Sequence, residues 1–140
     1  MSIYTKYFPQ FNVFLYRISK GRLGARLRQQ NVLLLHTVGR SSGRAYTTPL
    51  SYYRDAAIYI VVASNWGEKD QPHWFRNLLQ QQRATIQVKD QTIQVRARQT
   101  QGKEYDRLWD LVTRQNPQFL QYQRGLQRRI PVITLTPTAP

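Results

Sequence analysis

The spacing of apolar side chains changes from helical to strand-like near residue 30. Residues 10–29 repeat apolar positions at intervals of three and four, with Arg and Lys between them, which predicts a basic amphipathic helical arm. Val32–Val38 is a continuous apolar run that ends at Gly39, a pattern typical of a buried strand. We therefore divide the chain into an N-terminal helical arm, residues 1–30, and a domain over residues 31–140.

A hairpin is predicted in the middle of the chain. The runs Thr47–Arg54 and Ile58–Ala63 are both rich in β-branched and aromatic residues, and Asp55-Ala56 forms a short connection between them. Pro49 lies within the first run and has no N–H to donate, which predicts an edge strand or a bulge at that position.

The second half of the chain alternates between helical and strand-like spacing. It predicts a helix from Pro72 to Gln82, strands Ala84–Lys89 and Thr92–Gln99, a helix from Gly102 to Arg114 with Thr100 as N-cap, a short helix or loop carrying Phe119 and Tyr122, and a last strand Ile130–Thr136. Six short strands, mostly in hairpins, with helices inserted between them indicate an α+β fold built on a small antiparallel barrel.

The composition excludes several kinds of protein. The chain has no Cys and two His, so disulfide frameworks, thiolate zinc sites and Cys nucleophiles are excluded, and no metal site is expected. No apolar run reaches the roughly 20 residues of a membrane span, and the first residues lack the order of a secretory signal. We expect a cytoplasmic protein.

The net charge of +14 is unevenly distributed. Residues 1–54 carry nine basic side chains and no acid, residues 55–110 carry eight bases and seven acids, and four Arg follow with no acid. A positive field concentrated in this way indicates an anionic partner, which is a phosphorylated cofactor, a nucleic acid or an anionic membrane surface.

The segment Gly39–Arg44 has the composition of an anion-binding loop. It follows a strand and combines two Gly, two Ser and two Arg within six residues. Glycine lets the backbone approach an anion, while Ser hydroxyls and Arg guanidinium groups donate hydrogen bonds to its oxygens. No Lys follows the second glycine, so this is not a Walker loop. A polar hairpin turn is an equally good interpretation of the composition alone.

Two further polar segments are candidates for the same site. Ser64–Gly67 closes a strand and His73–Asn77 opens the next helix, so both reach one rim of the barrel if the strands beside the Gly39–Arg44 loop pair with each other. The alternatives are a core position for Trp74, a cap or surface position for Asn77, and a packing or surface role for His73.

No catalytic set of acids and bases is evident. The chain lacks a nucleophile elbow, and Asp106 and Asp110 lie at i and i+4 on a predicted helix, where a solvated face is the usual arrangement. We therefore expect a bound cofactor to carry out any chemistry.

Five segments together resemble the deazaflavin-dependent nitroreductase family, small split-barrel proteins of the flavin/deazaflavin oxidoreductase group. In chain order they read VFLYRISKGRLGARL (13–27), VLLLHTVGRSSGRAYTTPLSYYRD (32–55), IYIVVASNWG (58–67), PHWFRNL (72–78) and YQRGLQRRIPVITLTP (122–137). The resemblance covers nearly the whole chain, and it implies a split β-barrel of the FMN-binding type with inserted helices.

The resemblance implies a reductase that binds the deazaflavin coenzyme F420 and passes its hydride to a quinone or a nitroaromatic compound. Ser64 and Tyr122 match positions that face the substrate and are the implied catalytic residues, hydrogen-bonding the oxygen on which charge develops. The implied cofactor-binding residues are Gly39, Arg40, Ser41, Ser42, Gly43 and Arg44 for the anionic tail, Thr48, Pro49, Val62, Ala63, Ser64 and Asn65 beside the ring, Trp74 and Asn77 closing the pocket, and Tyr46.

Two positions depart from the family pattern. Ser41 stands where Lys is usual, and Tyr46 stands where Arg is usual. Tyr46 can stack on a ring, and FMN binds related split barrels, so an FMN-binding reductase is the alternative within the same fold.

Other partners follow from the charge and the aromatic residues. A non-enzymatic nucleic-acid-binding domain would use the basic flanks with Tyr46, Tyr53 and Trp66 as a stacking surface, although no recognised nucleic-acid motif is present. Residues 3–28 suit a peripheral contact with the inner face of a membrane. The oligomeric state is open, with a homodimer among the alternatives.

Overall fold

The computed structural model describes residues 31–138. The predicted helical arm, with the proposed membrane contact of residues 3–28, lies outside the described residues. Within residues 31–138 no helix is both long and apolar enough to cross a membrane.

Seven strands, three α-helices and one short turn of 3-10 type make up the described residues. In chain order they are β1 (Val32–Val38), β2 (Ala45–Ser51), β3 (Tyr53–Asp55), β4 (Ile58–Val62), the 3-10 turn (Asn65–Gly67), α1 (His73–Gln80), β5 (Arg83–Val88), β6 (Gln91–Gln99), α2 (Gly102–Gln115), α3 (Gln118–Arg124) and β7 (Val132–Pro137). The predicted order of strands and helices is confirmed, with one strand more than the six expected from the sequence.

All seven strands belong to one antiparallel sheet in the order β2-β1-β5-β6-β7-β4-β3. The sheet curls until β2 lies against β4, which gives an antiparallel half-barrel. Pro49 lies in β2, at one edge of the sheet, as its missing donor predicts. The α+β barrel with inserted helices is confirmed.

The additional strand arises because the predicted run Thr47–Arg54 divides at Tyr52. The backbone N–H of Tyr52 donates to the carbonyl of Asn31 (3.0 Å) instead of continuing a strand, and its ring is buried in the interior of the half-barrel. The residues before it pair with β1, and the residues after it pair with β4. One sequence run therefore supplies both edges of the sheet.

Strand β4 is buried on both faces, since successive side chains point to opposite sides of a sheet. Tyr59 and Val61 belong to the cluster inside the half-barrel, together with Trp74. Ile60 and Val62 belong to a second cluster, which α2 and α3 cover with Leu108, Val112 and Phe119. A strand packed on both faces reads as a continuous apolar run, which explains the pattern in the sequence.

The N-cap predicted at Thr100 is wrong. The cap position of α2 belongs to Gln101, whose side chain makes no capping bond. The Thr100 hydroxyl instead donates to the carbonyl of Val132 (2.8 Å), which also accepts the Thr100 backbone N–H at 3.0 Å. The hydroxyl thus joins the end of β6 to β7 instead of starting the helix.

Four of the seven acids of the near-neutral central region pair with bases. The ion pairs are Arg98–Glu104 (2.7 Å), Arg107–Asp55 (2.9 Å), Arg114–Asp110 (2.9 Å) and Arg129–Asp106 (3.2 Å). All four involve exposed side chains, for which roughly 0–1 kcal/mol of stabilisation is typical. Within residues 31–138, Arg40 and Arg44 take part in no ion pair, so the basic loop keeps its positive charge.

Candidate functional site

The Gly39–Arg44 loop is a tight turn closed by two backbone hydrogen bonds. The N–H of Gly39 donates to the carbonyl of Arg44 (2.7 Å), and the N–H of Gly43 donates to the carbonyl of Gly39 (3.0 Å). A Cβ at position 39 would lie 2.7 Å from both the Ser42 Oγ and a ring carbon of Tyr46, so any other residue there would displace these two side chains. Strands β1 and β2 pair on either side of the loop, as the sequence analysis assumed.

A cavity of about 200 Å³ opens between this loop and the start of α1. We call it the anion cavity. Its lining consists of Gly39, Arg40, Ser41, Ser42, Tyr46, His73 and Asn77. Six of these seven residues were predicted from the sequence, and the structure brings them together from the loop between β1 and β2, from β2 and from α1.

Arg40 is held in the anion cavity by uncharged side chains. Asn77 Oδ1 accepts from the Arg40 backbone N–H (3.2 Å) and from Arg40 Nη1 (3.1 Å), while the amide nitrogen of Asn77 donates to Thr37 Oγ1 at 3.4 Å. Arg40 Nη2 lies 3.4 Å from His73 Nδ1. Because neither partner carries a negative charge, the guanidinium is oriented without being neutralised. An oriented guanidinium is suited to a phosphate or carboxylate oxygen.

Two ionisable groups in the cavity respond to its charge. Partial burial and the nearby Arg40 lower the pKa of His73, which favours the neutral imidazole near pH 7. The hydroxyl of Ser42, 3.4 Å from the Tyr46 hydroxyl, lowers the pKa of Tyr46, and Arg44 adds to this effect. Burial is the main cause of the shift at His73 and a hydrogen bond is the main cause at Tyr46, and in both cases a nearby arginine adds to the effect.

The end of β4 leads into a left-handed turn. Asn65, Trp66 and Gly67 have φ values of 50°, 58° and 81°, so two residues with side chains adopt a conformation that ordinarily favours glycine. Such residues cost about 1–3 kcal/mol each and are typical of functional sites. The Asn65 amide donates to the carbonyl of Asp70 (2.9 Å), while the Trp66 side chain is 57% exposed.

Helix α3 packs on this turn through Tyr122. A Cβ at position 67 would lie 2.9 Å from Tyr122 Cδ1, so the ring lies directly against the backbone of Gly67. Tyr122 is half-buried and Ser64, three residues before Gly67, is buried. The two residues implied as catalytic therefore belong to elements that contact each other.

Three buried polar atoms have no hydrogen-bond partner among the described residues. They are Thr48 Oγ1, Asn65 Oδ1 and Trp74 Nε1. Buried polar groups in folded proteins are nearly always paired, so an unpaired donor or acceptor calls for a reason. All three atoms belong to residues predicted to contact the cofactor.

The other predicted residues lie in the sheet and the core. Pro49, in β2, pairs with Leu34 of β1. Ala63 belongs to the cluster inside the half-barrel, and Val62 belongs to the cluster that α2 and α3 cover. Trp74 is completely buried in the interior cluster and does not line the anion cavity. The core position that the sequence allowed for Trp74 is therefore the one it occupies.

His73 lies in a segment considered for the site but was not assigned to the cofactor, and Arg128 was not predicted as a site residue. His73 lines the anion cavity, and its position directly after Pro72, at the first turn of a helix that faces a basic loop, was the available signal. Arg128 bonds to the loop after β4 from 57 or more residues away, and no local pattern marks such a contact. Within residues 31–138, no group of three metal-ligating side chains is present.

Comparison with known proteins identifies the relatives of this chain. A family model described as F420H(2)-dependent quinone reductase matches residues 10–137. An F420H(2)-dependent quinone reductase of Mycobacterium tuberculosis is 36% identical over 126 residues, which covers 87% of this chain and 85% of the relative.

Solved structures share the fold. An F420-H2 dependent reductase superposes with a TM-score of 0.69 at 28% identity, covering 75% of this chain and 93% of that protein. A second structure, described as a domain-swapped dimer, has a TM-score of 0.72 at 26% identity and covers 88% of this chain and 93% of that protein.

Gly67 and Gly125 both lie near Tyr122 and provide a matched test of the left-handed turn. We expect Gly67→Ala to lower the free energy of unfolding by about 1–3 kcal/mol, because the new Cβ meets both a positive φ and the Tyr122 ring. Gly125→Ala should change it by less than about 0.5 kcal/mol, since φ is −85° there and a Cβ finds its nearest neighbour at 3.7 Å. Urea unfolding followed by circular dichroism measures both, and equal effects would contradict the described packing.

Proposed function

The chain belongs to the F420H(2)-dependent quinone reductase family, and on that basis we propose that it transfers a hydride from reduced coenzyme F420 to a quinone or nitroaromatic acceptor. The observation that carries this proposal is the anion cavity, where Arg40 is oriented by Asn77 and His73 and retains its charge. The resemblance seen in the sequence, the oxidoreductase class and the cofactor all agree with the relatives described above.

The residues of the anion cavity fit the anionic part of the cofactor. Arg40 supplies positive charge, Ser41 and Ser42 supply hydroxyl groups, and the cavity contains no carboxylate among its lining residues. Arg44, in the same loop, adds a second positive charge nearby. In place of the basic residues usual at positions 41 and 46, this chain has Ser41 and the Tyr46 phenol. We propose that the neutral His73 imidazole supplies a further hydrogen-bond donor to the anion from its Nε2, while its Nδ1 accepts from Arg40.

The unpaired atoms Thr48 Oγ1, Asn65 Oδ1 and Trp74 Nε1 support placement of the polar ring of the cofactor near β2 and the end of β4. A ring with donors and acceptors can satisfy buried groups that the protein leaves unpaired. When bound, reduced F420 supplies the hydride. The work of the protein is then to orient the two reactants and to exclude water.

We propose that Ser64 and Tyr122 act on the acceptor. Their hydroxyl groups would donate hydrogen bonds to the oxygen on which negative charge develops during transfer, and donors fixed in place before the reaction stabilise that charge most. The packing of Tyr122 on Gly67 supports this role, because it sets the ring against the segment that Ser64 opens.

The direct test is turnover with the purified protein. With reduced F420 and a soluble naphthoquinone, we expect the absorbance of oxidised F420 to appear at a rate that saturates with both reactants and exceeds the uncatalysed rate. A nitroaromatic acceptor tests the second substrate class, and reduced FMN tests the alternative cofactor. No binding and no turnover of F420 with either acceptor would overturn the proposal, and turnover with FMN alone would replace it.

A charge placed beside Arg40 tests the anion cavity. Asn77→Asp keeps an acceptor for Arg40 and allows the Thr37 hydroxyl to donate in return, but it adds a negative charge within hydrogen-bond distance of the guanidinium. We expect the dissociation constant for F420 to rise about tenfold or more, since a charge pair at this distance is worth roughly 1–4 kcal/mol. Fluorescence titration measures it.

The matched control is Arg76→Gln, which lowers the net charge by the same unit at an exposed position of α1 outside the anion cavity. Its dissociation constant should stay within about twofold of the wild-type value, because exposed charges are screened. An equal loss of affinity in the two variants would indicate a general effect of net charge and contradict a specific site.

We also propose that residues 3–28 contact an anionic membrane surface, where lipophilic quinones are found. Six basic residues and no acid lie in this stretch. With Arg17, Arg22 and Arg26 each replaced by Glu in the full chain, co-sedimentation with anionic vesicles should fall at least about tenfold, given about 1 kcal/mol per basic residue. Replacing exposed Lys69, Lys103 and Arg124 by Glu is the control for net charge, and equal losses would contradict the proposal.

A further inference from the structure

Arg128 binds the loop that follows β4, residues 63–72, which we call the β4–α1 loop. Its Nη2 donates to the carbonyls of Ser64 (2.9 Å) and Glu68 (2.8 Å), its Nη1 donates to Gln71 Oε1 (2.9 Å) and lies 3.3 Å from the carbonyl of Ala63, and its Nε lies 3.3 Å from the carbonyl of Glu68. A single guanidinium therefore contacts the beginning, the middle and the end of the loop.

The backbone of Arg128 is tied to α3. Gln123, the residue after Tyr122, donates through Nε2 to the carbonyl of Arg128 (2.8 Å), and its Oε1 accepts from the N–H of Ile130 at 2.8 Å. Arg128 thus connects two structural elements, the β4–α1 loop that carries Ser64 and the helix that carries Tyr122.

The strained backbone of the β4–α1 loop needs contacts from outside the loop to hold its conformation. Its residues Asn65, Trp66 and Gly67 all have positive φ, and strained backbone persists only where surrounding contacts hold it. Within itself the loop has the Asn65–Asp70 bond and two i→i+3 backbone bonds. Carbonyl groups need donors, and a guanidinium offers five in a planar arrangement, whereas the ammonium of Lys offers three from one point.

We propose that Arg128 is a positioning residue for hydride transfer, which holds the β4–α1 loop against α3 so that Ser64 and Tyr122 face the same acceptor. This inference rests on the proposed function. It assigns a task to one of the basic residues that follow Asp110 and that the anion cavity does not use. Neighbouring Arg129 has a different task, since it pairs with Asp106 and its guanidinium lies 3.7 Å from the centre of the Tyr105 ring.

The test compares Arg128→Lys with Arg129→Lys, which makes the same change one residue away, at a more exposed side chain that pairs with Asp106 and not with the loop. In Arg128→Lys we expect kcat to fall about tenfold or more, because small displacements of reacting groups are costly. This fall in kcat should persist at saturating F420, whatever the change in the dissociation constant for F420, and amide hydrogen exchange of residues 63–72 should become faster. Arg129→Lys should leave all three quantities at the wild-type values.

Two further variants separate positioning from a general loss of folding. In Arg128→Ala, millimolar guanidinium ion should restore part of kcat, and the same addition should leave Arg129→Ala unchanged. Gln71→Met removes one acceptor of Arg128 and keeps the arginine, so kcat should fall by a smaller factor than in Arg128→Lys.

The results of these experiments separate the positioning role of Arg128 from the proposed function itself. Faster exchange in the loop with an unchanged kcat would overturn the positioning role, as would a loss of activity explained entirely by weaker F420 binding. If the wild-type protein does not oxidise reduced F420 with any acceptor, the proposed function fails and the role in turnover fails with it. Wild-type turnover together with full activity of Arg128→Lys overturns only the inference about Arg128.

Discussion

The burial of β4 on both faces is the constraint on which the rest of the structure depends. Tyr59 and Val61 fill the half-barrel while Ile60 and Val62 pack against α2 and α3. A shift of one residue would exchange the two sets of side chains between two cores of different shape, so the register with β7 is fixed. The residue at which β4 ends, and therefore the start of the strained turn, is fixed by the same packing.

This constraint links the two parts of the candidate site. The sheet curls far enough to bring β2 against β4. The strand that follows the Gly39–Arg44 loop therefore lies beside the strand that leads to Ser64. Local glycines then adapt the backbone: Gly39 closes the basic loop, and Gly67 leaves room for Tyr122. The half-barrel supplies a rigid frame, and the polar chemistry lies in the loops at its rim.

The sequence predicts much of this arrangement because the informative signals are local. The apolar run Val32–Val38 and the edge position of Pro49 each follow from nearby residues, and the structure agrees with both. The Gly39–Arg44 loop is predicted in the same way, and four of its six residues line the cavity. A prediction such as the contrast between Gly67→Ala and Gly125→Ala, however, needs the contacts of Tyr122, which no spacing in the chain reveals.

What the sequence missed depends on contacts between distant residues. The break at Tyr52 is set by a bond to Asn31, the hydroxyl of Thr100 is taken by Val132, and Arg128 reaches a loop about 60 residues earlier. In each case the neighbouring residues predict a local role for a polar group, as a strand N–H, a helix cap or a solvated charge. The group instead bonds to a partner that is distant in the chain. His73 belongs here too, because its role follows from the position of Arg40 and not from its neighbours in the chain.

The neutral surroundings of Arg40 also have a consequence for the protein in its cellular setting. An arginine neutralised by a carboxylate would stay indifferent to passing metabolites, whereas one held by an amide and an imidazole attracts oxyanions in general. If the cofactor occupies this cavity as proposed, inorganic phosphate and nucleotides would compete with it there. Occupancy in the cell would then be set by the ratio of cofactor to these competitors and by ionic strength, and not by the cofactor concentration alone.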